Sequence, residues 1–410
     1  MSESASSPSH HSPSEAGATA LRGLRVIDLG HRRAGPYAAK LLADYGADVI
    51  KVEPPRGEAQ RRLGPFPNDI PSRHAPGEFL SLNTNRHNLT CNLKTQTGRR
   101  LFLQLIHSAD ALIENYRPHV LPKLGLSAAD LWHANPNLII TSITNFGQTG
   151  PKRDDPASEL GVLLSGGNRQ DMGLSPQRPI RYAHGTISYL AGATAAAATM
   201  AALLRNDRAG THIDISLQEI LLGVPNRFWL LEQFQAAPDQ EFFPLQRGQA
   251  RRAFTYYQCA DGHVCISPGL GLPGLLAMLT DGESNPTPPA FQTLDELDAH
   301  VAAWAIMRQR RTIVDIGQRH HVMVAPVNTI ADLIDEPAYV ERSFFQQVPC
   351  PDTALSAPMP VTIPGPPAKL LGDTPPSYRI ATTLGANNAR IWGDLTDRSR
   401  LPALRRAGIA

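Results

Sequence analysis

Between Arg25 and Glu53 the chain packs strand, turn, helix and strand into about 30 residues, the size of one parallel crossover unit. Arg25-Val-Ile-Asp-Leu29 is a short apolar strand, and Gly30 to Gly35 form a turn. Pro36 suits a first helical turn, where a missing N–H costs nothing. Tyr37 to Tyr45 carries the apolar period of a helix, and Gly46 is placed to end it. Ala47-Asp-Val-Ile-Lys-Val-Glu53 is a second strand, stopped by Pro54-Pro55. Two strands joined this way must lie parallel, with the helix packed on one face of their sheet.

The rhythm repeats downstream. Residues 98–108 read as helix, 111–115 as strand, 126–135 as a short helix and 138–144 as a β-branched strand. An alanine-rich helix follows at 188–205, then a strand at 212–217 and a helix at 218–235. Phe254–Cys259 and His263–Ser267 flank Asp261-Gly262 and read as a hairpin. Helical segments follow at 271–279, 295–309 and 313–319, with short closing helices at 386–392 and 399–406. The fold class is therefore α/β, with a mostly parallel sheet between helices. Ligands of such sheets bind beyond the carboxyl ends of the strands. The loops at 31–33, 53–57, 115–117 and 145–150 are the places to look.

The 410 residues suggest two or three domains at roughly 100–200 residues each. Lys plus Arg total 39 and Asp plus Glu 37, a net charge of +2 that leaves no basic footprint for nucleic acid. The most apolar run, Leu190 to Leu204, is 15 residues of mostly alanine, too short to span a bilayer, so no membrane is expected as a partner. The four cysteines show no C-x-x-C spacing and read as reduced thiols of a cytoplasmic protein. Proline is in excess at 36 residues, against a usual share near ~5%. Some of it lies in residues 1–20, a Ser- and His-rich stretch read as a disordered tail. A denser cluster at 346–380 reads as extended chain or linker.

Few motifs carry chemistry alone. Gly30-His-Arg-Arg-Ala-Gly35 has neither dinucleotide-fingerprint nor P-loop spacing. A helix N-terminus with two arginines can hold an anion, and it can equally be a plain turn with solvated side chains. Glu159, ahead of Ser165-Gly-Gly167, can be a nucleophile or a surface residue. His320-His321 precede a strand and point to opposite sides of it, which suits a metal poorly. No G-x-S-x-G elbow is present. Arg251-Arg252 and the Arg308–Arg311 cluster read as solvated faces.

Taken together, several stretches resemble the family III CoA-transferases, the group of carnitine CoA-transferase and formyl-CoA transferase. They include Leu21-Arg-Gly-Leu-Arg-Val-Ile-Asp-Leu29, Ala34-Gly-Pro36, Gly46-Ala-Asp-Val-Ile-Lys-Val-Glu-Pro54 and Asn83-x-Asn-Arg86. Ala109-Asp-x-Leu-Ile-Glu-Asn115, Phe146-Gly-Gln-Thr-Gly-Pro151, Asp214-Ile-Ser-Leu217 and Pro326-Val-Asn-Thr329 continue the match, in order, to about residue 405. The resemblance implies a Rossmann-like large domain built from N- and C-terminal chain, a smaller α+β domain, and an interlocked homodimer. Its boundaries would be 21–217 for the large domain, 218–252 for a linker helix and loop, 253–345 for the small domain and 346–410 for the return segment. It implies CoA-transferase activity, moving CoA from an acyl-CoA to a carboxylic acid. CoA is substrate, with no permanently bound cofactor and no metal. The CoA contacts would fall on His31, Arg32, Arg33, Ala34, Cys91, Asn115, Tyr116 and Lys123. The nucleophilic aspartate of the family falls on Glu159, eight residues after Gly150-Pro151. Two other readings stay open: an isomerase, dehydratase or racemase with Glu159 as general base, and a CoA-binding homologue without catalysis.

Overall fold

The computed structural model describes residues 20–74, 76–166, 185–205, 207, 209–223, 255–267, 272–282, 291, 293–350, 359–370, 378–380, 383–396 and 398–409. The expected tail before residue 20 and the linker loop at 236–252 lie outside them. The chain forms two compact units. The first is drawn from Met1–Arg169, Arg181–Asn226 and Phe344–Ala410, the second from Gln170–Ile180 and Arg227–Ser343.

The first unit holds six strands: β1 (Arg25–Asp28), β2 (Asp48–Glu53), β3 (Arg86–Thr90), β4 (Ala111–Glu114), β5 (Ile139–Thr144) and β6 (Thr211–Ser216). All pair in parallel, in the order β3-β2-β1-β4-β5-β6. This is the doubly wound order, and the chain reverses direction across the sheet between β1 and β4. The helices are α1 (Ala34–Asp44), α2 (Gly77–Leu82), α3 (Gln96–His107), α4 (Val120–Lys123), α5 (Ala128–Ala134), α6 (Glu159–Ser165), α7 (Thr186–Leu203) and α8 (Leu217–Gly223). On one face Ile27, Leu112 and Ile140 pack with Phe102, Leu105 and Ile106 of α3 and Leu131 of α5.

On the other face α1 and α7 pack together. Helix α1 starts at Ala34, three residues earlier than its apolar period suggested, so the turn after β1 is only Gly30–Arg33. Helix α7 has 18 residues and is long and apolar enough, by length and composition, to cross a membrane. Yet Ile187, Ala191, Ala195, Thr199 and Ala202 are buried in a helical stripe, and the Thr199 hydroxyl meets that of Thr141 on β5 at 2.7 Å. That is the pattern of a core helix. The two helices approach closely at Gly192, where an added Cβ would lie 2.6 Å from the Ala34 carbonyl oxygen. Gly192→Val is therefore expected to cost about 1–3 kcal/mol through overpacking, read as a shift in the urea midpoint.

The second unit carries β7 (Thr255–Cys259), β8 (Gly262–Ser267) and β9 (Met323–Val327), antiparallel in that order. Its helices α9 (Leu272–Leu279), α10 (Leu294–Ala305) and α11 (Arg310–Arg319) enclose Val264, Met278, Val301 and Ile313. Two short helices, α12 (Ile330–Ile334) and α13 (Pro337–Glu341), follow. His320 is engaged with Asp281 at 2.8 Å.

The return segment rejoins the first unit. Strands β10 (Phe345–Cys350) and β11 (Met359–Pro364) pair antiparallel, so this part of the proline-rich stretch is a hairpin. Helix α14 (Asn388–Leu395) docks on β3: the Trp392 indole donates to the Thr90 carbonyl at 3.0 Å, and Asn388 accepts the Thr90 N–H at 2.9 Å. Helix α15 (Leu401–Arg406) closes the chain.

Candidate active site

A cavity of about 900 Å³ opens beyond the carboxyl ends of β1, β4 and β5, at the reversal point of the sheet. Residues 31–34, 115–120, 143–145, 157–160, 187 and 188 line it.

The turn after β1 is fixed by hydrogen bonds across the reversal. The Asn115 side chain accepts the His31 N–H at 2.8 Å and donates to the His31 carbonyl at 2.9 Å. Arg32 sits in the left-handed region at φ 61°, which costs energy for a residue with a Cβ. Its N–H donates to Glu58 at 2.8 Å, which offsets that cost. Beneath the turn lies a buried charge cluster. Asp28 accepts the Gly30 N–H at 2.7 Å and pairs with Arg86 and Lys51, while Lys51 donates to the Gly30 carbonyl at 2.8 Å and pairs with Glu58 at 3.0 Å.

Glu159 is the first residue of α6, after the Ser158 cap. Its carboxylate faces the N-terminus of α7. One oxygen accepts the N–H groups of Ile187 and Ser188 at 3.1 and 3.3 Å, and the other accepts that of Gly185 at 3.2 Å. Backbone donors at a helix start suit an anion because no intrahelical acceptor claims them. Gly185 has φ 92°, the left-handed region that glycine enters without strain.

Of the expected residues, the structure brings His31, Arg32, Arg33, Ala34, Asn115, Tyr116 and Glu159 to one cavity. His31 stacks on Tyr116 with ring centroids 5.1 Å apart. Arg32 is exposed and has no ion pair among the described residues. Arg33 is committed to Glu78, with Nη2 to Oε2 at 2.9 Å and Nε on the other oxygen. Burial pulls the Arg33 guanidinium down, but the hydrogen bond and charge of Glu78, with Tyr189 and Glu159 beyond, raise it overall. Lys123 lies exposed at the end of α4 and does not line the cavity. Cys91 is not in the cavity either. Its thiol is buried in the core, donates to the Gly98 carbonyl at 3.3 Å, and is pushed up to about 12 by burial.

Three kinds of residue escaped the sequence reading. His119 lines the cavity two residues beyond the 115–117 loop, in which strand-end logic did place Arg117. Arg153 lines the wall before Glu159. Glu58 and Glu78 carried no signal, because Arg32, Arg33 and Tyr189, which they meet, lie 26 to 111 residues away.

Two titratable groups at the cavity, buried Glu114 and half-buried His31, have opposite pH slopes. Glu114, at the end of β4, accepts the Tyr116 N–H at 2.7 Å, and burial pushes it up to about 7. A raised carboxyl is protonated in the fold while ionised in the unfolded chain, so its contribution falls as pH rises from 4.5 to about 7. His31 is lowered to about 4 by burial, with Lys51 and Arg32 adding to it. Its contribution is full above 6.5 and is lost as pH falls toward 4. Glu114→Gln should therefore gain about 2–3 kcal/mol more at pH 8 than at pH 5, as measured by urea unfolding at both values.

An α/β crevice at a sheet reversal, lined by the turn after β1 and by a carboxylate on a helix start, defines an enzyme-like site of the doubly wound class. The sequence matches CoA-transferase family III over residues 21–388. It is 30% identical over 375 residues to the succinyl-CoA:mesaconate CoA-transferase of Haloarcula marismortui, covering 87% of this chain and 91% of that one. It is 31% identical over 347 residues to the succinyl-CoA:(R)-benzylsuccinate CoA-transferase subunit BbsE of Thauera aromatica, covering 78% and 82%. The crystal structure of a CAIB/BAIF family protein from Brucella suis superposes with a TM-score of 0.75 at 26% identity, over 92% of this chain and 100% of that one. The chain belongs to CoA-transferase family III.

Proposed function

We propose that this protein moves CoA from an acyl-CoA to a carboxylic acid through a thioester on Glu159. The observation that carries this reading is the Glu159 carboxylate, held by the Gly185, Ile187 and Ser188 N–H groups inside the cavity that the β1 turn lines. The oxygen that accepts the Gly185 N–H attacks the thioester carbonyl. The C–S bond breaks, CoA leaves as thiolate, and a mixed anhydride forms. The thiolate then attacks the glutamyl carbonyl, and the first acid leaves as carboxylate. The oxygen held by Ile187 and Ser188 carries the negative charge of that tetrahedral intermediate, so its two N–H groups act as the oxyanion hole. A second carboxylate reverses both steps.

In this reading CoA lies along His31, Arg32 and Ala34, stacks near Tyr116, contacts Asn115, and reaches Lys123 with its phosphates. The protein works in the cytoplasm as an interlocked homodimer, with 21–217 and 346–410 as the large domain and 253–345 as the small one. Succinyl-CoA is the first donor to test, because both relatives are named for it. Intact-protein and peptide mass spectrometry after incubation with a panel of acyl-CoAs should show a CoA adduct on Glu159. Its absence with every donor would sink the reading.

A further inference from the structure

We propose that Arg33, held by Glu78, binds the carboxylate of the acid substrate beside Glu159. The proposal rests on Glu159 being the nucleophile. Each half-reaction then releases or admits the acid as a carboxylate in this cavity, beside the uncharged glutamyl thioester and the oxyanion that forms on it. An anion taken out of water there needs a cation to hold it. Arg32 and Arg33 are neighbours with different fates. Arg32 is exposed, whereas Arg33 turns toward α7 and packs on Gly185, where an added Cβ would meet its Cδ at 2.9 Å. Gly185 is the residue whose N–H holds one Glu159 oxygen.

Arg33 is built into this position. Nε and Nη2 engage the two Glu78 oxygens, and Glu78 also accepts the Gln60 amide and the Tyr189 hydroxyl, the latter at 3.4 Å. Nη1 has no hydrogen-bond partner among the described residues, and Arg33 lines the cavity. A guanidinium pinned on one edge presents its remaining donors with little entropy left to lose. Glu78 is then a positioning residue. It also balances the Arg33 charge when no acid is bound.

The test takes the acyl-CoA that labels Glu159 and the isotopically labelled acid of the same acyl group, starting with succinyl-CoA and labelled succinate. Exchange of label into the thioester gives KM for each substrate. Arg33→Gln should raise the acid KM about 10–100-fold while the acyl-CoA KM changes less than threefold, and Arg33→Lys should restore part of the loss. The Arg33→Gln/Glu78→Gln pair leaves no unpaired charge, so it should fold and still show the raised acid KM. An unchanged acid KM in both variants, with the adduct still forming, overturns this assignment alone. A rise confined to the acyl-CoA KM places Arg33 on CoA and overturns it too. No adduct in the unaltered protein with any donor overturns the Glu159 reading and this assignment together.

Discussion

Glu159→Gln is expected to lower kcat for CoA transfer by at least about 10³-fold and to abolish the adduct, with the fold intact. The amide keeps the length of the side chain, and its oxygen can still accept from α7. What it loses is the negative charge that makes the carboxylate oxygen a nucleophile, so the test is one of chemistry rather than of architecture. Glu159→Asp asks the opposite question. Aspartate is a chemically competent carboxylate nucleophile. Here it would draw the oxygens back by roughly 1.5 Å, out of hydrogen-bond reach of N–H groups now 3.1–3.3 Å away. A displacement near 1 Å can cost on the order of 100-fold, so a loss of that size is expected. Full activity in Glu159→Asp would show that the α7 donors are dispensable. Full activity in Glu159→Gln would remove the carboxylate from the mechanism.

The first crossover unit was legible because its strands are apolar and its punctuation is strong. Val26, Ile27, Val49 and Ile50 are buried, and Pro36, Gly46 and Pro54 stand where the elements start and stop. Strand β3 was not legible. Its residues Arg86, Asn88 and Thr90 are polar and buried, and their partners include Asp28, Glu53, Asn387 and Asn388. No local pattern announces a contact about 300 residues away. Glu159 was reachable by counting from Gly150-Pro151, but its setting was not. Ser158 caps a helix that buries Val162 and Leu163, in a stretch that carried no helix reading. That the carboxylate binds the start of α7 depends on tertiary packing. The same limit explains Cys91, placed near CoA by resemblance and found in the core.

Asp28→Ala is expected to destabilise the protein by about 3–5 kcal/mol, the cost of leaving buried cations without their anion. Asp28, Lys51, Arg86 and Glu58 are all buried, and together they are two acids against two bases. Among the described residues, removing Asp28 leaves Arg86 facing no carboxylate at hydrogen-bond distance and leaves Glu58 as the ion-pair partner of Lys51. It also orphans the buried Gly30 N–H, the first donor of the β1 turn. Against a typical total of roughly 5–15 kcal/mol, this is a large share of the stability. A double-mutant cycle separates charge from packing. Arg86→Met should cost less in the Asp28→Ala background than alone, with a coupling of about 1–3 kcal/mol in urea unfolding. At temperatures where Asp28→Ala remains folded, the Gly30–Arg33 turn loses its lower anchor, so the acyl-CoA KM should rise while the adduct stays on Glu159. A destabilisation below about 1 kcal/mol, with no coupling to Arg86, would mean that water or Glu58 replaces Asp28. The turn would then owe its shape to Asn115 and Glu58 from above rather than to the charge cluster beneath it.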